Sequence, residues 1–223
     1  MHRPAALVLL SLAVMGCAGD DGAPSPPAAA ELVAAAERGD VARIEELLAR
    51  GAAVDGRDAR NRTAVTAAAL GDHVSAARAL IEAGADVDLQ DDNRNNPLLV
   101  CGETGNVALL RVVLAAGPDL GATNRFGGTA LIPASDRGHV ELLRELLATE
   151  IDLDHVNRLG WTALLEAIIL GEGGEAHTEI VRLLVTAGAD VDLADGDGVR
   201  PLEHARERGF TEIATILMAA GAA

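Results

Sequence analysis

The sequence predicts an all-α repeat solenoid, a row of stacked helix pairs, on three observations. First, the segments RTAVTAAALGDHVSAARALIEAGADVD, NNPLLVCGETGNVALLRVVLAAGPDLG, GGTALIPASDRGHVELLRELLATEIDLD and GWTALLEAIILG…HTEIVRLLVTAGADVD align with one another. Thr63, Asn96, Thr129 and Thr162 stand 33 residues apart in succession, and Arg200 follows after 38. A fixed period of that size marks one supersecondary unit per repeat. Second, each unit carries helix punctuation: Thr or Asn before Ala or Pro as an N-cap and first turn, and a Gly after a short apolar run. Third, 49% of the chain is hydrophobic, yet Phe126, Trp161 and Phe210 are its aromatics and it has no Tyr. Small aliphatic residues suit closely packed short helices better than a β-sandwich.

The chain begins with an address. One basic residue, Arg3, precedes an apolar run from Ala5 to Val14. The run is too short to span a bilayer and suits a secretory signal core, which places a signal peptide at 1–16. Val14-Met15-Gly16-Cys17 resembles the lipobox of bacterial lipoproteins. That resemblance implies cleavage before Cys17 and acylation of its thiol, and Ala18 in the following position implies the outer membrane, on its periplasmic side. The alternatives are an ordinary cleaved signal that leaves a free Cys, and a cytoplasmic start. Residues 17–29, rich in Gly, Pro and small side chains, cannot repay the entropy of ordering and are expected to form a flexible tether. The folded domain is expected over 30–223.

Within that domain Glu31 to Gly51 opens the array as a cap, and Pro201 to Ala220 ends it. In between, positions such as Val140, Leu143, Leu146 and Leu147 recur at helical spacing and give each unit a second, amphipathic helix. Gly84-Ala85-Asp86 and Gly188-Ala189-Asp190 supply left-handed helix stops. Thr162-Ala163-Leu164, His177-Thr178-Glu179-Ile180-Val181 and Gly188-Ala189-Asp190-Val191-Asp192 together resemble the ankyrin repeat. The resemblance covers about 30–223 and implies about six helix pairs joined by short β-hairpin fingers. Departures are Arg94 where the finger usually has Gly, Glu150 where the helix stop usually has Gly, Pro133 inside an inner helix, and Pro118 in place of Ala. A non-Gly residue in a left-handed turn costs on the order of 1 kcal/mol. Glu172 to Ala176 is an insertion between two helices, and its glycines predict an exposed loop.

The chemistry-bearing residues point away from catalysis. His73, His139 and His177 form a column, but stacked helices hold them too far apart to share a zinc ion, so a structural hydrogen bond is the expected role. Asp190, Asp192, Asp195 and Asp197 with Gly196 and Gly198 lack the order of a calcium loop and its closing Glu. Cys101 replaces a small inner-helix residue and is expected to be buried and inert. G-x-S-x-G, P-loop, dinucleotide and H-E-x-x-H motifs do not occur, so no enzyme, cofactor or metal is expected.

With a formal net charge of -16, and every basic residue an Arg, the surface repels nucleic acid. Contact with a membrane is expected through the lipid anchor alone, and the chain is expected to be a monomer. A protein partner remains. The resemblance implies that it meets the face made by finger tips and inner helices. The finger positions hold Arg60, Arg62, Arg94, Arg125, Phe126, Arg158 and Trp161, residue types that dominate interfaces. The expected function is an interaction module tethered to the envelope that scaffolds or protects a periplasmic partner. The alternative is an inhibitor or immunity lipoprotein that caps a toxin or hydrolase.

Overall fold

The computed structural model describes residues 26–223, so Cys17, the signal peptide and the first part of the tether lie outside the described residues. Among the described residues twelve helices follow in pairs: α1 (Pro26–Glu37) with α2 (Val41–Ala49), α3 (Ala64–Leu70) with α4 (Val74–Glu82), and α5 (Pro97–Thr104) with α6 (Val107–Ala115). Then come α7 (Leu131–Asp136) with α8 (Val140–Leu147), α9 (Ala163–Ile169) with α10 (Glu175–Ala187), and α11 (Pro201–Glu207) with α12 (Thr211–Ala219). The odd-numbered inner helices pack on one another in sequence order, and the even-numbered outer helices form a parallel second layer. No helix among the described residues is long and apolar enough to cross a membrane.

One continuous apolar core runs the length of the array, from Leu32 and Ile44 through Leu80, Leu110, Leu143 and Leu164 to Leu217. Each fully buried Leu or Ile contributes roughly 1.5–3 kcal/mol, and every pair depends on its neighbour to bury its apolar face. Small residues set the spacing. On α3, Ala64, Ala67, Ala68 and Ala69 are all buried. At Gly102 a Cβ would stand 2.4 Å from the Ala130 carbonyl oxygen, so α5 and α7 approach closely only because that side chain is absent.

The expected caps form at Thr63, Asn96 and Thr162, whose side-chain oxygens accept from Thr66 N (3.4 Å), Leu99 N (2.9 Å) and Leu165 N (3.2 Å). Thr129 does not cap. Pro133 has no N–H for the Thr129 carbonyl, which takes Ile132 N at 3.2 Å instead. Helix α7 therefore starts late, at Leu131, and Thr129 Oγ1 is buried without a hydrogen-bond partner among the described residues.

Four expectations need correction. Helix α1 begins at Pro26, inside the segment 17–29 read as tether, because Pro at a first turn followed by Ala residues favours a helix and Ala29 finds a buried place against Gly56. The Glu172 to Ala176 insertion is half helix: α10 starts at Glu175, and Gly173, at φ +67°, sits on the Phe210 ring. Arg208 Nη2 adds a 2.9 Å bond to the Gly171 carbonyl, so this end of the loop is packed, although Glu172, Gly174, Glu175 and Ala176 remain exposed. Glu150 is not left-handed: α8 stops at Leu147, and Thr149 Oγ1 donates to the Leu146 carbonyl at 2.6 Å. Finally, the fingers are tight turns rather than strand hairpins, with one antiparallel bridge, Arg57 to Thr63, among the described residues.

Arg94 does adopt the strained conformation, with φ +61°, at a place where the next two fingers have Gly127 (+78°) and Gly160 (+82°). Arg94→Gly is expected to stabilise the protein by about 1 kcal/mol. Urea unfolding would show a raised midpoint at unchanged slope. A lowered midpoint would mean that the bond from Arg94 Nη2 to Thr123 Oγ1, 3.2 Å long, outweighs the backbone strain.

Candidate functional site

Each finger is organised by one short side chain. Asp58, Asp91, Asn124, Asn157 and Asp195 each accept two backbone N–H groups on a single Oδ1, from the residues two and four further on, at 2.8–3.1 Å. The same residue closes the turn through its backbone, as where Asn124 N donates to the Gly128 carbonyl (2.9 Å) and Gly127 N to the Asn124 carbonyl (2.9 Å). These are Asx turns: the side-chain oxygen replaces a backbone acceptor and holds a five-residue loop without strands.

Neighbouring fingers are then tied into a rim. Asp92 N donates to the Arg60 carbonyl (3.2 Å) and Arg158 N to the Phe126 carbonyl (3.0 Å). Arg57 Nη1 reaches the Gln90 carbonyl (2.8 Å), Gln90 Nε2 the Thr123 carbonyl (2.9 Å), and Arg158 Nη1 the Arg125 carbonyl (2.8 Å). All three span 33 residues, one repeat.

Five of the seven expected site residues, Arg60, Arg94, Arg125, Phe126 and Arg158, stand exposed on this rim. The Arg125 guanidinium lies over the Phe126 ring, 4.8 Å from its centroid. Trp161 is half-buried beneath the rim. Arg62 is the exception: 7% exposed, it bonds Asp58 Oδ2 at 2.8 Å and both Glu37 oxygens at 2.9 and 3.2 Å. The hydrogen bond from Arg62 holds the Glu37 carboxyl below the usual range. Burial opposes ionisation of Asp58, but the N–H groups of Arg62 and Arg60 overcome it and its carboxyl is lowered too. Arg62 is thus a structural ion-pair partner, not a free contact residue.

The groove between rim and inner helices was not legible from the finger residues alone. Two adjoining depressions, about 270 and 400 Å³, share Glu103, Asn124, Arg125 and Phe126. Leu159 and Phe126, 56% and 54% exposed, stand at the tips of consecutive fingers, and Leu170 and Leu70 open onto the same face. On its floor lies Glu166, 5% exposed, at the inner-helix place that Ala67, Val100 and Pro133 fill in other repeats. Asn157 Nδ2 donates to Glu166 Oε1 at 2.7 Å. Burial, with the Asp136 carboxylate nearby, pushes its carboxyl up to about 7. The signal was a Glu on an otherwise apolar helix face.

The other candidates are structural. His73, His139 and His177 donate from Nε2 to the carbonyls of Glu37 (3.2 Å), Glu103 (3.2 Å) and Asp136 (2.8 Å) in the preceding pair, which ties successive turns together. Asp190 Oδ1 accepts Asp192 N, Asp192 Oδ1 accepts Ala223 N, and Asp195 holds the last finger and bonds His204 at 2.8 Å. Burial raises the Cys101 thiol to about 12, so it stays protonated and unreactive. On the outer helices Arg144, Glu179, Arg182 and Glu212 form a ladder of ion pairs across three repeats, lining a depression of about 640 Å³ with charges that satisfy one another.

The family model for ankyrin repeats in three copies matches residues 32–124 and 99–195. The crystal structure of an ankyrin repeat domain from Acinetobacter baumannii AYE superposes with a TM-score of 0.84 at 49% identity, over 86% of this chain and 98% of that one. A second ankyrin repeat protein of known structure, EF0377, gives a TM-score of 0.81 at 36% identity, over 85% of this chain and 97% of that one. The putative ankyrin repeat protein YahD of Escherichia coli (strain K12) is 56% identical over 57 residues, which are 26% of this chain and 28% of that protein.

Glu166 gives the site a pH signature. Its carboxyl is raised in the folded chain to about 7 from an ordinary 4.5. The folded state therefore holds the proton more tightly, and its stabilising effect is complete below the ordinary value and lost as pH rises through about 7. Glu166→Gln removes that term. The stability advantage of the variant is expected to grow by up to about 3 kcal/mol between about pH 4.5 and about pH 8. Urea unfolding of both proteins across this range checks it, and a constant difference would show that Glu166 titrates normally.

Proposed function

The chain belongs to the ankyrin-repeat family, whose arrays are protein–protein interaction modules, and from that premise we propose that it binds a protein of the bacterial envelope through the groove face. The observation that carries this reading is the apolar pair Phe126 and Leu159. Corresponding tip positions in the other fingers hold Arg60, Asn93 and Asp197, all polar. Two large apolar side chains held in water by rigid turns, each beside an Arg, form the kind of anchor that dominates binding energy when a partner covers it. The rim ties keep both tips in place before binding, which lowers the entropic cost of association.

The lipobox-like Val14-Met15-Gly16-Cys17 supports placing this module on a lipid tether at the periplasmic side of the outer membrane, where it would scaffold or protect its partner. A single acyl chain anchors marginally, whereas several on one Cys hold essentially permanently. Crosslinking in intact envelopes followed by pull-down is the direct test. Wild-type protein is expected to capture a discrete partner, and a combined Arg125→Ala, Phe126→Ala and Leu159→Ala variant with unchanged melting to lose at least about tenfold in affinity. Undiminished capture would move the docking surface to the outer helices. Separately, Cys17→Ser is expected to release the protein from membranes and to abolish labelling by palmitate. Equal membrane recovery of both forms would remove the anchor from the account.

A further inference from the structure

We propose that the groove floor selects a basic side chain of the partner, an Arg or Lys, which completes an ion pair with Glu166. This inference rests on the groove face being the docking surface, and it names the chemistry that the surface prefers.

Glu166 is more than nine-tenths buried, and a charge in that position requires a partner. Its Oε1 accepts from Asn157 Nδ2. Its Oε2 has no hydrogen-bond partner among the described residues, yet it is not sealed away from solvent and so opens on the groove that Glu166 lines. Among the described residues no cation comes to it. Arg137, which lines the same groove, is paired with Glu103. Arg125 stacks on Phe126 at the rim. On α11 the equivalent place holds His204, whose Nε2 is bonded to Asp195 Oδ2 at 2.8 Å. On α10 His177 is engaged with the Asp136 carbonyl through Nε2. Asp136 itself, on α7, makes no ion pair among the described residues and adds a second negative charge.

Two carboxylates thus share a groove floor without a counter-ion among the described residues, beneath an apolar rim. Below about pH 7 a proton fills the gap in the free protein. A guanidinium or ammonium whose stem packs on Phe126 and Leu159 would displace that proton and satisfy Oε2 directly. A neutral or acidic side chain would leave the second acceptor unpaired or add repulsion, so the site discriminates by charge.

Calorimetry with two peptides on the intact protein separates this inference from the one it rests on. The probes are acetyl-Gly-Leu-Arg-Leu-Gly-amide and the same peptide with citrulline, a neutral isostere, in place of Arg. Wild-type protein at about pH 8 is expected to prefer the Arg peptide by about tenfold. Glu166→Gln, which keeps the bond to Asn157, is expected to bring the two peptides within about twofold of each other. The preference is also expected to shrink at about pH 5.5, where Glu166 is protonated, and binding near pH 7 is expected to release a proton into the buffer. If both peptides bind equally to the wild type and Phe126→Ala weakens both, the basic-residue inference is overturned while the groove remains the docking surface. If Phe126→Ala changes neither affinity, the groove assignment fails as well. Binding of neither peptide at millimolar concentration overturns the inference.

Discussion

One side-chain oxygen per repeat governs the functional face of this protein. Oδ1 of Asp58, Asp91, Asn124, Asn157 and Asp195 takes two backbone N–H groups that a loop of five residues cannot satisfy by itself. The turn that results puts its fourth residue in the left-handed region at all five fingers: Asn61, Arg94, Gly127, Gly160 and Gly198. It also aims its second and third side chains outward. Since inter-finger bonds such as that from Arg158 N to the Phe126 carbonyl use the same turns, the rim is a consequence of this acceptor and not of strand pairing.

The helical layers supply the other half of the geometry. Alanines and Gly102 let inner helices close up, while His73, His139 and His177 fix the turns on the opposite edge. Charge is distributed with the same economy. Outer helices match acids with Arg in ladders worth little individually because they are exposed. Arg62 is buried among two acids and locks the first finger to α1. The groove floor departs from this pattern, with Glu166 and Asp136 unmatched beneath Phe126 and Leu159. A strongly acidic protein whose acids are mostly paired or solvated, but unpaired at the floor of a preformed groove, has its electrostatic preference concentrated in that place.

How far these features could be read from residues alone depended on the range of the interaction. Period, caps at Thr63, Asn96 and Thr162, and the strain at Arg94 follow from contacts within a few residues, and the sequence reading found them. Thr129 was misread as a cap although Pro133, four residues on, already removed the N–H its carbonyl needed. Arg62 was placed among the contact residues although Asp58, four residues away, already pairs with it; Glu37, 25 residues away in the preceding pair, completes its burial. The half-helical insertion was hidden because Phe210 and Arg208, which pack on it, belong to the next repeat. Exposure of Leu159 and Leu170 was illegible because apolar residues at turn and helix ends are usually covered by a neighbour, and here they are not.

If the Asx acceptor holds the rim, its loss should be felt locally and at the adjoining finger before it reaches the core. Amide hydrogen exchange on Asn124→Ala measures this directly. Phe126 and Gly128, which donate to Asn124 Oδ1, and Arg158, which donates to the Phe126 carbonyl, are expected to lose protection by about tenfold or more. Amides inside α5 and α9 should keep their protection. Unchanged exchange at Gly128 and Arg158 would contradict the account and show that backbone closure alone maintains the face on which binding depends.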